Sequence, residues 1–87
     1  MTSESHEHRL KRLKMRSGHR GIKEMDMILG PFADKGLAAL SGDELDLYEA
    51  MLAENDHDLY AWFARRIAPP PEYDALIGRI AKTVGFG

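Results

Sequence analysis

Leu40–Asn55 reads LSGDELDLYEAMLAEN, and its punctuation is that of a helix. Ser41 stands where an N-cap hydroxyl meets the unpaired N–H groups of a first turn. Glu44, three residues on, completes a capping box, and Leu40 is placed to staple onto Leu45. Leu45, Tyr48, Met51 and Leu52 then recur every three or four residues, which makes one face of the helix apolar. The pattern predicts a stop near Asn55.

The same period continues on both sides. Toward the C-terminus, Asn55 or Asp56 caps a fourth helix, HDLYAWFARR (57–66). It turns Leu59, Trp62 and Phe63 inward and carries Arg65 and Arg66 in its last turn, against the negative end of the helix dipole. APPP (68–71) is a rigid connector that no helix crosses intact. Pro71 suits the first position of a fifth helix, with Tyr73, Leu76, Ile77, Ile80 and Val84 at helical spacing and Gly85 as its end. Toward the N-terminus, Ile22, Met25, Ile28 or Leu29, and Phe32 form the stripe of a second helix. Gly21 is its expected N-cap, and Gly30-Pro31 is expected to kink or end it. HEHRLKRLKMRS (6–17) contains neither Gly nor Pro and reads as a weakly amphipathic first helix on Leu10 and Leu13, ending near Ser17-Gly18. Strand-period segments and internal repeats are absent from the sequence. The expected fold is all-α: a small bundle of about five short helices, one domain over residues 9–87 behind a flexible tail over 1–8.

With 87 residues the chain holds one core and no more. It has no cysteine, which excludes a disulfide scaffold, thiolate metal sites and thiol catalysis. No apolar run approaches the roughly 18–20 residues that cross a membrane. The N-terminal segment is Arg-rich but lacks the apolar core of a signal peptide, and it carries Glu4 and Glu7. From these features a cytoplasmic protein is expected.

The formal net charge of −2 conceals a division. Residues 1–23 carry seven Lys/Arg (Arg9, Lys11, Arg12, Lys14, Arg16, Arg20 and Lys23) against two Glu, while residues 24–87 carry five against twelve Asp/Glu. Such polarity suits a protein that meets a partner by one face. One reading of the basic segment is a small nucleic-acid-binding or regulatory module. The acidic remainder of the chain and a pI near 6.0 oppose it. His6 and His8 form a His-x-His pair without a third ligand, and His19 and His57 lack metal-ligand spacing. The carboxylate pairs Asp43/Glu44 and Asp56/Asp58 fall at helix starts, where backbone N–H groups account for them. There is no Ser/His/Asp arrangement and no phosphate-cradling glycine loop, so catalysis and tight binding of a nucleotide cofactor by this chain are not expected.

One stretch is left over. In HRGIKEMD (19–26), a helix start accounts for Glu24 but not for an arginine and a glycine before it, since Ser, Asp or Asn caps as well as Gly. A glycine is demanded where φ is positive or where another backbone comes too close for a Cβ. Arg20-Gly21-Ile22-Lys23-Glu24 matches the R-G-x-x-E signature of the SdhE family of flavinylation factors. The match continues through Met25-Asp26 and Pro31-Phe32 into Asp56, Asp58, Leu59, Tyr60 and Trp62, which are similar to that family's D-x-D-L-[FY]-x-W run. The resemblance spans roughly residues 9–82.

The resemblance implies a five-helix fold and an assembly-factor role rather than an enzymatic one. Members bind the flavoprotein subunit of succinate dehydrogenase, and often that of fumarate reductase. They promote covalent attachment of FAD to a histidine of that subunit, by chemistry that is largely the subunit's own. Carried onto this chain, Arg20, Gly21 and Glu24 are the partner-binding positions, with Asp26 beside them and Arg16 and His19 leading in. Some members have a second arginine where His19 stands. The implied protein is a monomer that binds no cofactor tightly, FAD being attached to the partner. Arg20 is accordingly read as an exposed donor on a protruding helix junction, with Gly21 admitting a partner's backbone.

Overall fold

The computed structural model describes residues 4–86, so the first three residues of the expected tail, and Gly87, lie outside the described residues. Five α-helices follow in order: α1 (His6–Ser17), α2 (Lys23–Lys35), α3 (Gly42–Leu52), α4 (Asp56–Phe63) and α5 (Pro71–Val84). A short 3-10 turn, Leu37–Ala39, stands between α2 and α3. No strand occurs among the described residues, and none of their helices is long and apolar enough to cross a membrane.

The helix ends are set by local chemistry. The Ser5 hydroxyl accepts the His8 N–H at 3.1 Å and Glu7 lies in the first turn, so α1 begins at His6, where the reading of 6–17 as the first helix starts it. The capping box at Ser41 and Glu44 forms in both directions, with Ser41 N–H on Glu44 at 2.8 Å and Glu44 N–H on Ser41 at 3.2 Å. At α4 the Asn55 side chain caps, accepting the N–H groups of His57 and Asp58. Gly85 closes α5 at φ 73°, a conformation costly for any residue with a Cβ.

Three boundaries depart from expectation. The N-cap of α2 is Ile22, one residue later than the glycine expected there, and it supplies no capping oxygen. Nor does α2 end at Gly30-Pro31, one of the two outcomes expected there. It runs on to Lys35 because the turn beyond the proline carries Phe32 and Ala33, both buried, and their burial outweighs the lost hydrogen bond. Finally, α4 ends at Phe63, so Arg65 and Arg66 follow the helix instead of forming its last turn. Arg65 adopts φ 59°, and Arg66 N–H reaches back to the Ala61 carbonyl at 2.9 Å, closing the helix in a turn that usually requires glycine.

Buried side chains from every helix meet in one core. Leu13 of α1 joins Met25, Leu29 and Phe32 of α2, Leu45, Tyr48 and Met51 of α3, Leu59 and Trp62 of α4, and Ile77 and Ile80 of α5. The Phe32 and Tyr48 rings lie 5.7 Å apart, and those of Trp62 and Tyr73 5.9 Å apart. Helix α2 packs against α1, α4 and α5, which makes it the axis of the bundle. Truncating a ring at its centre, as in Phe32→Ala, removes roughly 3–5 kcal/mol. The packing also fixes the junction between α1 and α2, residues 18–22, against the start of α4.

Candidate functional site

The junction is anchored from both sides. On the α1 side, Ser17 is fully buried; its hydroxyl donates to the Leu13 carbonyl at 2.7 Å and lies 2.6 Å from the Tyr48 phenol oxygen. With the single Ser17 proton given to Leu13, Tyr48 must donate to Ser17. Burial pushes the Tyr48 phenol up to about 12, against the opposing effect of the nearby Arg20 charge.

On the other side stands Asp56, the first residue of α4. Because Asn55 caps that helix, the Asp56 carboxylate is left to reach across to the junction. Its Oδ1 accepts Nε of Arg20 at 2.8 Å and lies 2.6 Å from Nη2, while its Oδ2 accepts the backbone N–H of Gly21 at 2.6 Å. The Arg20 backbone N–H donates to Asp26 Oδ1 at 2.6 Å, and its Nη2 faces the Glu54 carbonyl at 3.5 Å. Two acidic side chains, one from α2 and one from α4, thus hold consecutive residues of the loop.

This geometry corrects two readings of the sequence. The Arg20 side chain is not an exposed donor: it retains only 9% of its accessible surface, and Asp56 retains 16%. Gly21 does not adopt a positive φ, the one such glycine among the described residues being Gly85. A Cβ on Gly21 would instead lie 2.8 Å from Asp56 Oδ2, so the close neighbour that forbids a side chain belongs to the chain itself. Asp56 was legible as part of an acidic run but was assigned to helix-start electrostatics. The signal that could have singled it out was the asparagine before it, which already fills the capping role.

Of the sequence-predicted positions, Arg20, Gly21 and Asp26 come together with Asp56. Glu24 is exposed on the first turn of α2 and makes no side-chain hydrogen bond or ion pair among the described residues. His19 is exposed, and Arg16 is half-buried at the end of α1. Glu24 also edges a groove of about 290 Å³, floored by Ile28, Tyr60, Val84 and Phe86 and flanked by Met27, whose side chain is 66% exposed. The junction therefore presents His19, Gly21, Lys23, Glu24 and Met27 outward, on a base fixed by Arg20, Asp26 and Asp56.

The basic segment is less basic than its sequence. Arg9 pairs with Asp46 and Glu49, Arg12 with Glu4 and Glu49, Lys14 with Asp34, and Arg20 with Asp56. Four of its seven cations are thus engaged within the chain.

Residues 11–84 match the family described as flavinator of succinate dehydrogenase. The chain is 40% identical over 72 residues to a "Succinate dehydrogenase assembly factor 2, mitochondrial" of Candida glabrata, covering 80% of this chain and 47% of the relative. A protein of the same name from Meyerozyma guilliermondii is 40% identical over 73 residues, covering 82% and 54%. One from Drosophila virilis is 37% identical over 76 residues, covering 85% and 48%. The chain spans about half the length of the curated relatives it matches. The cytoplasmic setting expected from the sequence is overturned by these names, which are those of mitochondrial proteins. That expectation rested on the lack of cysteine, of a membrane-spanning apolar run and of a signal-peptide or transit-peptide pattern, features that a mitochondrial protein can share.

Proposed function

Because the chain belongs to the family of flavinators of succinate dehydrogenase, we propose that it is an assembly factor for that enzyme, not an enzyme itself. It binds the flavoprotein subunit and promotes covalent attachment of FAD to it. The observation that carries this reading is the junction: the signature Arg20–Glu24 is held rigid by Asp56 from the second signature run. A rigid loop loses little conformational freedom on docking, which favours binding.

In this reading the outward groups His19, Gly21 and Glu24 meet the client with the half-buried Arg16 beside them, while Arg20 and Asp26 shape the loop from within. FAD belongs to the client, and this chain holds it only through that protein. A single copy of the chain acts on each client, and a fumarate reductase flavoprotein is the second client to test. The nucleic-acid reading loses support, since Arg9, Arg12 and Lys14 already face carboxylates.

The test is co-purification. The tagged chain, co-expressed with the flavoprotein subunit of succinate dehydrogenase, should retain that subunit through gel filtration as a one-to-one complex. Recovery of nucleic acid in place of the subunit would contradict the proposal.

A further inference from the structure

The geometry points to Asp56 as the positioning residue of the docking loop, with Arg20 serving the client by holding Asp56 and not by touching the client. This rests on the assembly-factor reading and goes beyond it, because it assigns the signature arginine and glycine to an internal latch.

Three observations carry it. First, the Arg20 side chain is nine-tenths buried, and its Nε and Nη2 both meet one oxygen of Asp56. Nε and Nη2 are thereby committed within the chain, which leaves only Nη1 for a partner. Second, the other oxygen of the same carboxylate would lie only 2.8 Å from a Cβ on residue 21, closer than such contacts normally come. It cannot swing aside cheaply, because its twin is held by Arg20 and it accepts the Gly21 N–H itself. The glycine is therefore required by Asp56 before any partner arrives. Third, Asn55 takes over the capping of α4, which leaves Asp56 available for the latch.

The consequence is positional. With Asp56 in place, the backbone from His19 to Ile22 has one path, and Lys23 and Glu24 leave it at a fixed angle on the first turn of α2. Without it, Gly21 N–H and the Arg20 guanidinium lose their acceptors together, and the outward groups lose their common frame.

A double-mutant cycle on the initial rate of covalent FAD attachment to a succinate dehydrogenase flavoprotein subunit tests this. Arg20→Ala, Asp56→Ala and the double variant are assayed below their melting temperatures, with folding followed by the fluorescence of the single tryptophan, Trp62. The latch predicts a loss of about tenfold or more in each single variant, and a double variant within about twofold of either. Asp56→Asn, which keeps the size of the side chain and an acceptor for Gly21 N–H, should recover part of the rate. Losses that multiply in the double variant would overturn the inference, since Arg20 would then act on the client directly. A fully active Asp56→Asn beside an active wild type would also overturn it and leave the assembly-factor reading standing. A wild-type chain that neither binds nor stimulates the subunit would instead contradict the proposed function.

Discussion

Asp56 Oδ2 lies 2.6 Å from the backbone nitrogen of Gly21, and a Cβ at that position would come within 2.8 Å of it. Residues 35 apart in sequence are thereby locked in register. Gly21→Ala should lose roughly 1–3 kcal/mol to overpacking, a fall of several degrees in melting temperature for a domain of this size. In an Asp56→Ala background the same substitution should cost almost nothing. Thermal melts of the four proteins check this, and an equal cost in both backgrounds would contradict it.

Arg20→Ala removes one side of a largely buried ion pair and leaves the Asp56 carboxylate to Gly21 N–H alone. A cost of about 1.5–3 kcal/mol follows, well above that of trimming a surface arginine. Denaturant unfolding monitored at Trp62 measures it. A cost under about 0.5 kcal/mol would return Arg20 to the exposed role its sequence suggested.

The capped helices were legible because their signals are local. Ser41 and Glu44 declare α3, Pro71 and Gly85 bracket α5, and the apolar stripes name the residues the core buries. The misread boundaries have a different cause. Pro31 reads as a kink or a helix end, and the end is excluded only once Phe32 and Ala33 are seen to be buried beyond it; Arg65 enters a glycine conformation because the chain must turn between α4 and the proline connector. The site was half legible for the same reason. Arg20, Gly21 and Glu24 stood out as a pattern, but the meaning of the glycine lay in Asp56, at a distance that no periodicity reports.

The Ser17–Tyr48 pair should respond unequally to deletion. Ser17→Ala leaves the buried Tyr48 hydroxyl without its acceptor, at a cost of about 1–3 kcal/mol. Tyr48→Phe leaves Ser17 still donating to Leu13 and should cost nearer 1 kcal/mol. Urea titrations of both variants decide the order, and a larger loss for Tyr48→Phe would reverse the assigned donor.

Arg65 pays for its left-handed backbone with little in return, since its ion pair with Asp74 at 3.0 Å is exposed on both sides. Arg65→Gly should raise stability by about 0.5–1 kcal/mol. A lower melting temperature would mean that the side chain contributes more than its one visible contact.

Acid should loosen α1 from α3. The Arg12 hydrogen bond, aided by the Arg12 and Arg9 charges, holds Glu49 below the usual glutamate range in spite of some desolvation. A folded value below the unfolded one means that this stabilisation is whole above the ordinary glutamate value and is lost as pH falls through the folded one. Melting temperature should therefore drop below about pH 4, and the drop should be shallower in Arg12→Gln and in high salt. A pH profile unchanged by Arg12→Gln would contradict the assignment.

The central claim is that this chain drives covalent flavin attachment by docking its junction on a succinate dehydrogenase flavoprotein subunit. The most direct measurement is in-gel flavin fluorescence of that subunit after denaturation, following incubation with FAD and either no added factor, the wild-type chain or Glu24→Ala. Glu24 is exposed and unpaired among the described residues, so its loss leaves the fold intact. The account predicts strong covalent fluorescence with the wild-type chain and weak fluorescence with the other two. Equal fluorescence in all three lanes would contradict it.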